Sequence, residues 1–569
     1  MSYIKFPFVQ QIKNYQGDQI LGDLIAGLTV GVMLIPQGMA YAFLAGVPPV
    51  YGLYASLVPL FIYMLFGTSR FSTIGPAAIS ALLVLTSLNQ LGISEPEAYL
   101  NAVFVIALLS GIIQLLMGFF RLGFIVNFIS QPVLKGFILG AALTIILSQI
   151  KHLLGIPLES GSTISTLEQL ILKIDLINIY TLSVGLAGIL ILILMKRLDK
   201  RIPSQLIVVG LSMAVIAVFR LDVLNVDILG VVPKGLPGFH SPTLNMDLIQ
   251  ALLPVSATIA LITFIEVYAI GVSLEEKSKA KDIVPDQELI AMGLGKTIGS
   301  FFQAFPTSAS FSRSAVNKEA GSKSVLSGIF TLILIILTLL FLTPYFYFMP
   351  KAILASIILV AITGLIDPGY IKLLWRTDRR DFIMFSVTAL VTFLVGVQQG
   401  ILTGVVLSVF LIAYSISYPH VAEIALVQGT KVFRNIDRFD RAQKEDRIMM
   451  IRFDAPLTYS NVPYFLKKLK QFEARHSNLE CVILNASAIN HIDSTSVEAV
   501  RHLVEDYKEK NIRFVITNLR GPVRDKFKQT GMFEFIGTDN FFAEDYEALL
   551  SCEGKGTDPD RDMVFQSNK

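Results

Sequence analysis

The 569-residue chain is 53% hydrophobic and 16% charged, with a formal net charge of +3 and a mean hydropathy of +0.62. Those values exclude an ordinary soluble protein and a disordered one, and point to a polytopic membrane protein. Charged residues make up about one in ten up to His420 and roughly three in ten after it, so a membrane domain is followed by a water-soluble one.

The N-terminal segment, 1–20, is mixed and polar, with no short apolar core and cleavage site, so no signal peptide is expected. From there to residue 420 about 14 apolar stretches of near-spanning length follow one another. They fall near 22–43, 48–67, 76–88, 99–119, 125–150, 177–196, 204–219, 251–274, 288–302, 311–320, 324–347, 351–374, 380–396 and 398–417. Every second connection is basic: Arg70, Arg121, Lys196-Arg197 with Lys200-Arg201, Lys277/Lys279/Lys281, Lys318/Lys323 and Arg376/Arg379/Arg380. The loop at 89–98 between two of them carries Glu95 and Glu97 instead. Basic loops stay on the cytoplasmic side, which places both termini inside.

Two of these segments are too short or too polar for full crossings. The third opens on Gly75-Pro76-Ala77-Ala78, and the tenth follows Pro306 as Thr307-Ser308-Ala309-Ser310-Phe311-Ser312-Arg313-Ser314. They lie seven segments apart, which predicts two seven-helix halves in inverted orientation. Interrupted helices at matching positions mark a transporter's midplane site, where helix N-termini aim free N–H groups at an anion. Arg313 is a permanent cation at membrane depth beside a row of hydroxyls, so it is a functional candidate by default. The alternative is a salt bridge with Glu266 that only locks helices together. Glu266 sits in an apolar stretch, Leu261 to Gly271, in the middle of the eighth segment. A carboxylate there can exchange a proton as the site fills and empties. In the first segment Pro36-Gln37-Gly38 reads as a break, with the Gln37 amide able to donate to an oxyanion and Tyr41 one turn on.

After Val421 the periodicity changes. Short apolar runs at 448–453, 480–485 and 512–517 predict buried strands, and 461–475, 495–510 and 521–532 predict amphipathic helices. This is a small α/β sheet domain, expected over 421–552. Asp493 and Ser494 are expected to cap the helix that follows them. Cys481 and Cys552 are too few for a disulfide framework and fit a reducing cytosol. Residues 553–569 are expected to be a disordered tail. The six histidines lie singly, so no metal site or other cofactor is expected, and no nucleotide loop or nucleophile–base set supports an enzyme.

Residues 49–70, Pro-Val-Tyr-Gly-Leu-Tyr-Ala-Ser through Phe-Gly-Thr-Ser-Arg, resemble the signature of the SulP sulfate-permease family, whose animal members are solute-carrier anion exchangers including prestin and pendrin. Pro36 to Ala42 resembles that family's first helix, Gly75 to Ala78 its third, and Ser310 to Asn317 with Ala320-Gly321 its tenth. The soluble part resembles a STAS domain. The resemblance implies a 7+7 inverted-repeat fold with a core (helices 1–4 and 8–11) and a gate (helices 5–7 and 12–14), an elevator-like motion and a homodimer in the lipid bilayer. It implies an anion site at Gln37, Tyr41, Ala77, Ala78, Ser310, Phe311, Ser312 and Arg313. Plant and fungal sulfate permeases are similar in carrying a Glu in the eighth helix followed by Ala-Ile-Gly, which favours Glu266 as a proton-coupling group. In relatives that antagonise anti-sigma factors the loop at 485–496 carries a phosphorylated hydroxyl, making Ser494 and Thr495 regulatory candidates and a cytosolic partner an expectation. This chain has Thr495-Ser496-Val497 where those antagonists have Ser-Gly. The expected function is proton-coupled sulfate import across an inner (plasma) membrane, with no nucleic-acid partner. The alternatives are sodium-coupled bicarbonate import, a passive anion exchanger or chloride channel, and a membrane sensor for the STAS domain.

Overall fold

The computed structural model describes residues 7–555 except 14, 16, 18, 129, 159–162, 199–202, 276–282, 365 and 443. The expected tail beyond 555 and the basic residues Lys200, Arg201, Lys277, Lys279 and Lys281 lie outside the described residues. The chain divides into two compact units, Met1–Ser408 and Val409–Lys569.

The first unit is helical. Its elements are α1 (Pro7–Lys13), α2 (Gln19–Leu44), α3 (Val50–Tyr54), α4 (Val58–Phe66), the two-residue strand β1 (Ile74–Gly75), α5 (Ala78–Gln90), α6 (Pro96–Phe119), α7 (Gln131–Leu154), α8 (Thr163–Leu172), α9 (Ile179–Leu198) and α10 (Ser204–Phe219). Then come α11 (Met246–Leu274), α12 (Pro285–Ser300), β2 (Ser308–Ala309), α13 (Phe311–Glu319), α14 (Ser327–Leu337), α15 (Lys351–Thr363), α16 (Pro368–Thr377), α17 (Arg379–Leu394) and α18 (Val397–Ser417), whose last residues belong to the second unit. Helix occupies each expected membrane segment. Among the described residues eight spans are long and apolar enough to cross a bilayer, and Val50–Phe66, Ala78–Gln90 and Ser204–Phe219 are shorter apolar ones.

Boundaries shift where caps and prolines dictate. The fifth segment starts at Gln131, not 125, because Ser130 accepts from the Val133 N–H and Pro132 sits in the first turn. The segment expected at 351–374 is two helices, the second capped by Asp367 through the Tyr370 N–H. The expected break at Pro36 does not occur: α2 runs unbroken through it. The proline removes one hydrogen bond, to the Val32 carbonyl, and the buried neighbours hold the helix together across the gap.

Close helix contact brings the site residues into register. A Cβ on Gly52 of α3 would lie 1.9 Å from the Gly38 carbonyl of α2, so only hydrogen at this position lets the two backbones touch. Two buried carboxylates fasten loops to the bundle. Asp23 accepts from the N–H groups of Lys323 (2.7 Å) and Ser324 (3.1 Å). Glu288 accepts from the Tyr63 hydroxyl (2.8 Å) and the Thr68 N–H (2.7 Å).

The second unit carries a six-stranded sheet: β3 (Val421–Leu426), β4 (Phe433–Asn435), β5 (Ile448–Phe453), β6 (Cys481–Asn485), β7 (Arg513–Thr517) and β8 (Phe541–Phe542), in spatial order β4-β3-β5-β6-β7-β8. β5 to β8 are parallel and β3 pairs antiparallel with β5. Its helices are α19 (Val462–Glu473), α20 (Ser494–Glu509), α21 (Gly521–Gln529), α22 (Met532–Ile536) and α23 (Asp545–Cys552). The three expected strands and three expected helices are present. Alternation sends Met449, Ile451 and Phe453 into one apolar cluster and Ile448 and Met450 into another on the opposite face, so the sheet is covered on both sides. The cysteines depart from expectation. α23 packs on β6 and β7, which brings Cys552 to Cys481 with 6.1 Å between Cα atoms, and the two form a disulfide.

Candidate functional site

β1 and β2 pair antiparallel, Ile74 with Ala309 and Gly75 with Ser308. Each strand leads directly into a half-length helix, α5 and α13, so the two helix starts arise from opposite ends of one small ladder. Neither start has a side-chain cap: Ala77 before α5 offers no oxygen, and the Ser310 hydroxyl does not bond the α13 backbone. Free N–H groups at both starts, with the positive ends of two helix dipoles, are chemically suited to an anion.

Arg313, in the first turn of α13, is 0% exposed. Its guanidinium donates to Gln37 Oε1 of α2 at 3.2 Å and to the Pro76 carbonyl at 2.9 Å, just ahead of α5. It therefore spans the two interrupted segments and ties both to α2. Since the Gln37 oxygen accepts from Arg313, its amide nitrogen is left as a donor. Tyr41 is buried one turn further along α2, within electrostatic reach of Arg313. Ala77 and Ala78 are buried at the α5 start. Phe311 and Ser312 are exposed, and the Ser310 and Ser312 hydroxyls lie 3.2 Å apart.

Glu266 is not the salt-bridge partner of Arg313. Its carboxylate accepts from the Ser308 hydroxyl at 2.5 Å, and among the described residues no ion pair within 4.0 Å joins it to Arg313. Ser308 belongs to β2, so the carboxylate is attached to the ladder that joins the two half-helices. Ser308 was not singled out from sequence, although it lies in the same hydroxyl row. Lys296 of α12 was missed as well: it is 1% exposed, and its ammonium donates to Thr263 Oγ1 on α11. The rule that singled out Arg313, a cation at membrane depth, would have found it.

In the second unit Asp493 caps α20, accepting from the Ser496 N–H at 2.9 Å and the Ser496 hydroxyl at 2.7 Å. Its other oxygen accepts from the Tyr459 N–H at 2.7 Å. Ser494 does not share the capping; it and Thr495 are exposed in the first turn of α20.

Residues 20–388 match the sulfate permease family and residues 441–548 the STAS domain. The chain is 36% identical over 567 residues to the chloroplastic sulfate transporter 4.1 of Arabidopsis thaliana, covering 96% of this chain and 82% of the relative. It is 31% identical over 579 residues to high affinity sulfate transporter 2 of Stylosanthes hamata, covering 97% and 86%. Among solved structures, the murine Solute Carrier 26 family member A9 anion transporter superposes with a TM-score of 0.87 at 25% identity, over 96% of this chain and 94% of that one. With residues 20–388 matching the family and relatives above 30% identity matched over most of their length, the chain belongs to the sulfate permease family of multi-pass membrane transporters and carries a C-terminal STAS domain.

Proposed function

We propose that this protein is a proton-coupled sulfate importer of an inner (plasma) membrane, with both termini cytoplasmic, working as a homodimer by elevator-like alternating access. The observation that carries the reading is the join between Glu266 and the anion seat. Ser308 both donates to the Glu266 carboxylate and pairs through its backbone with Gly75, ahead of α5. A proton arriving at Glu266 is thus felt at the ladder that sets the two helix starts. The anion would lie between the starts of α5 and α13, held by backbone N–H groups at Ala77–Ala78 and Ser310–Ser312, with the Gln37 amide and Tyr41 on the α2 side. Arg313 supplies a fixed positive field, with one N–H each from Nη1 and Nη2 turned to Gln37 and Pro76 and its buried Nε–H without a partner among the described residues.

An elevator motion fits this construction. The groups named come from α2, α5, α11 and α13, so they can travel as one body with the anion. The exposed start of α20, with Ser494 and Thr495, is the surface where a cytosolic partner or a phosphate would act on the STAS domain.

The deciding experiment is uptake of labelled sulfate by purified protein in liposomes under an inward proton gradient, competed with bicarbonate and chloride. Wild type should accumulate sulfate against its gradient with potassium in place of sodium. Glu266→Gln should lose accumulation while keeping sulfate–sulfate exchange. Undiminished gradient-driven accumulation by that variant defeats the coupling role, and strong competition by bicarbonate would move the substrate assignment.

A further inference from the structure

The reading above uses Arg313 and Glu266 and leaves a third buried ion without a task. Lys296 lies in α12, which packs on α4, α6 and α11. Among the described residues its ammonium makes one hydrogen bond, to the Thr263 hydroxyl. That hydroxyl donates onward to the Ile259 carbonyl at 2.6 Å and accepts from Gln114 Nε2 at 3.1 Å. Thr263 stands three residues before Glu266 on α11, and positions three apart share a helix face. Lys296 is therefore about one helical turn along that face from the carboxylate, and the two interact electrostatically. Glu266 and Arg313 interact electrostatically as well. Glu266 and Arg313 meet the ladder through Ser308 and Pro76, and Lys296 adds a third ionisable side chain one turn along α11.

An ammonium held by a single neutral hydroxyl inside a bilayer is expensive unless a charge nearby needs it. The charge count shows what that need is. With Glu266 ionised and Lys296 protonated, the three groups carry one net positive charge. A proton on Glu266 raises this to two, and a dianion then brings the loaded site to zero. Moving a neutral loaded core through the low-dielectric interior avoids the desolvation penalty of a charged one. A monoanion of the same shape would leave the site charged.

We propose that Lys296 is the charge-balancing residue that fits this site to a dianion rather than to a monoanion of equal shape. This rests on the reading of Glu266 as the proton carrier. Arg313 alone would balance the proton-loaded site for a monoanion; the second cation, one turn from the carboxylate, changes the matching charge to two.

The test uses the full chain in liposomes under a fixed inward proton gradient. Labelled sulfate uptake is competed by selenate, a tetrahedral dianion, and by perchlorate, a tetrahedral monoanion. Wild type should favour selenate. Lys296→Met should shift the selenate-to-perchlorate preference toward the monoanion by on the order of tenfold, and Lys296→Arg should restore it. Lys296→Gln gives the same readout where the Met variant does not fold. An unchanged preference in folded Met or Gln protein, or an equal loss toward both anions, overturns the proposal and leaves Lys296 a packing residue. Absence of proton-driven sulfate accumulation by the wild type itself would instead overturn the reading of Glu266.

Discussion

Replacing Arg313 separates a field-supplying role from a purely structural one. Arg313→Ala leaves two buried acceptors, Gln37 Oε1 and the Pro76 carbonyl, without their donor. An orphaned buried polar group costs about 1–3 kcal/mol, so stability should fall by roughly 2–6 kcal/mol, less whatever Gln37 recovers by turning. The loss to a bound anion is separate. At an effective dielectric of about 20 a unit charge roughly 6–10 Å from another is worth about 1.5–3 kcal/mol, which predicts a ten- to hundredfold weaker sulfate affinity. Arg313→Lys restores the charge but not the planar fork, so it should recover affinity more fully than stability. The assay is a pair of measurements on the same preparations: thermal unfolding of detergent-solubilised protein, and the KM for labelled sulfate in liposomes. A folded Arg313→Ala protein with an unchanged KM would refute the reasoning and make Arg313 a tie between helices.

Other expectations can be checked with simpler experiments. Gly52→Val places side-chain atoms against the Gly38 carbonyl, where even a Cβ comes to 1.9 Å, and should abolish recovery of folded protein. Size-exclusion chromatography of solubilised membranes reads this directly. Asp493→Ala removes the α20 cap and should destabilise that helix by about 1 kcal/mol, seen as faster hydrogen exchange over residues 494–509. Partial burial pushes the Asp493 carboxyl up, but the N–H groups of Tyr459 and Ser496 and the Ser496 hydroxyl outweigh it and hold it below the usual carboxylate range. Its stabilisation is therefore complete above about pH 4, the ordinary aspartate value, and is lost as pH falls through the depressed one. Exchange over α20 should accelerate between pH 4 and pH 2 in wild type, and this acid response should be smaller in Asp493→Asn.

Legibility in the sequence followed the range of the physics involved. Pro76 and Pro306 marked the two half-helices because proline and glycine act locally, and Arg313 stood out because charge at membrane depth is rare. The ladder between Ile74–Gly75 and Ser308–Ala309 could not be read, since two-residue strands have no periodicity. Ser308 therefore looked like one hydroxyl among several, although it is the one that reaches Glu266. Lys296 lies inside the segment expected at 288–302 and was passed over there, although a cation at membrane depth is the same signal that marked Arg313. The break expected at Pro36 was too local a reading, for tertiary packing carries α2 through it. The Cys481–Cys552 bond depends on how α23 docks across 71 residues of chain, which no local pattern records.

The β1–β2 ladder also has a consequence for how the protein is made. Pro76 and Arg313 are 237 residues apart, and the ladder bridges nearly the same interval. At about 5–20 residues per second of synthesis, the first half of the anion seat waits roughly 10–50 s for the second. Through that interval the Ile74–Gly75 backbone is inside or beside the bilayer with its ladder partner not yet translated. A ribosome stalled anywhere between the two strands leaves a chain whose helices can insert but whose proposed anion seat cannot close. Insertion factors that shelter an incomplete bundle should therefore matter more to this protein than to one whose binding site is built from neighbouring helices.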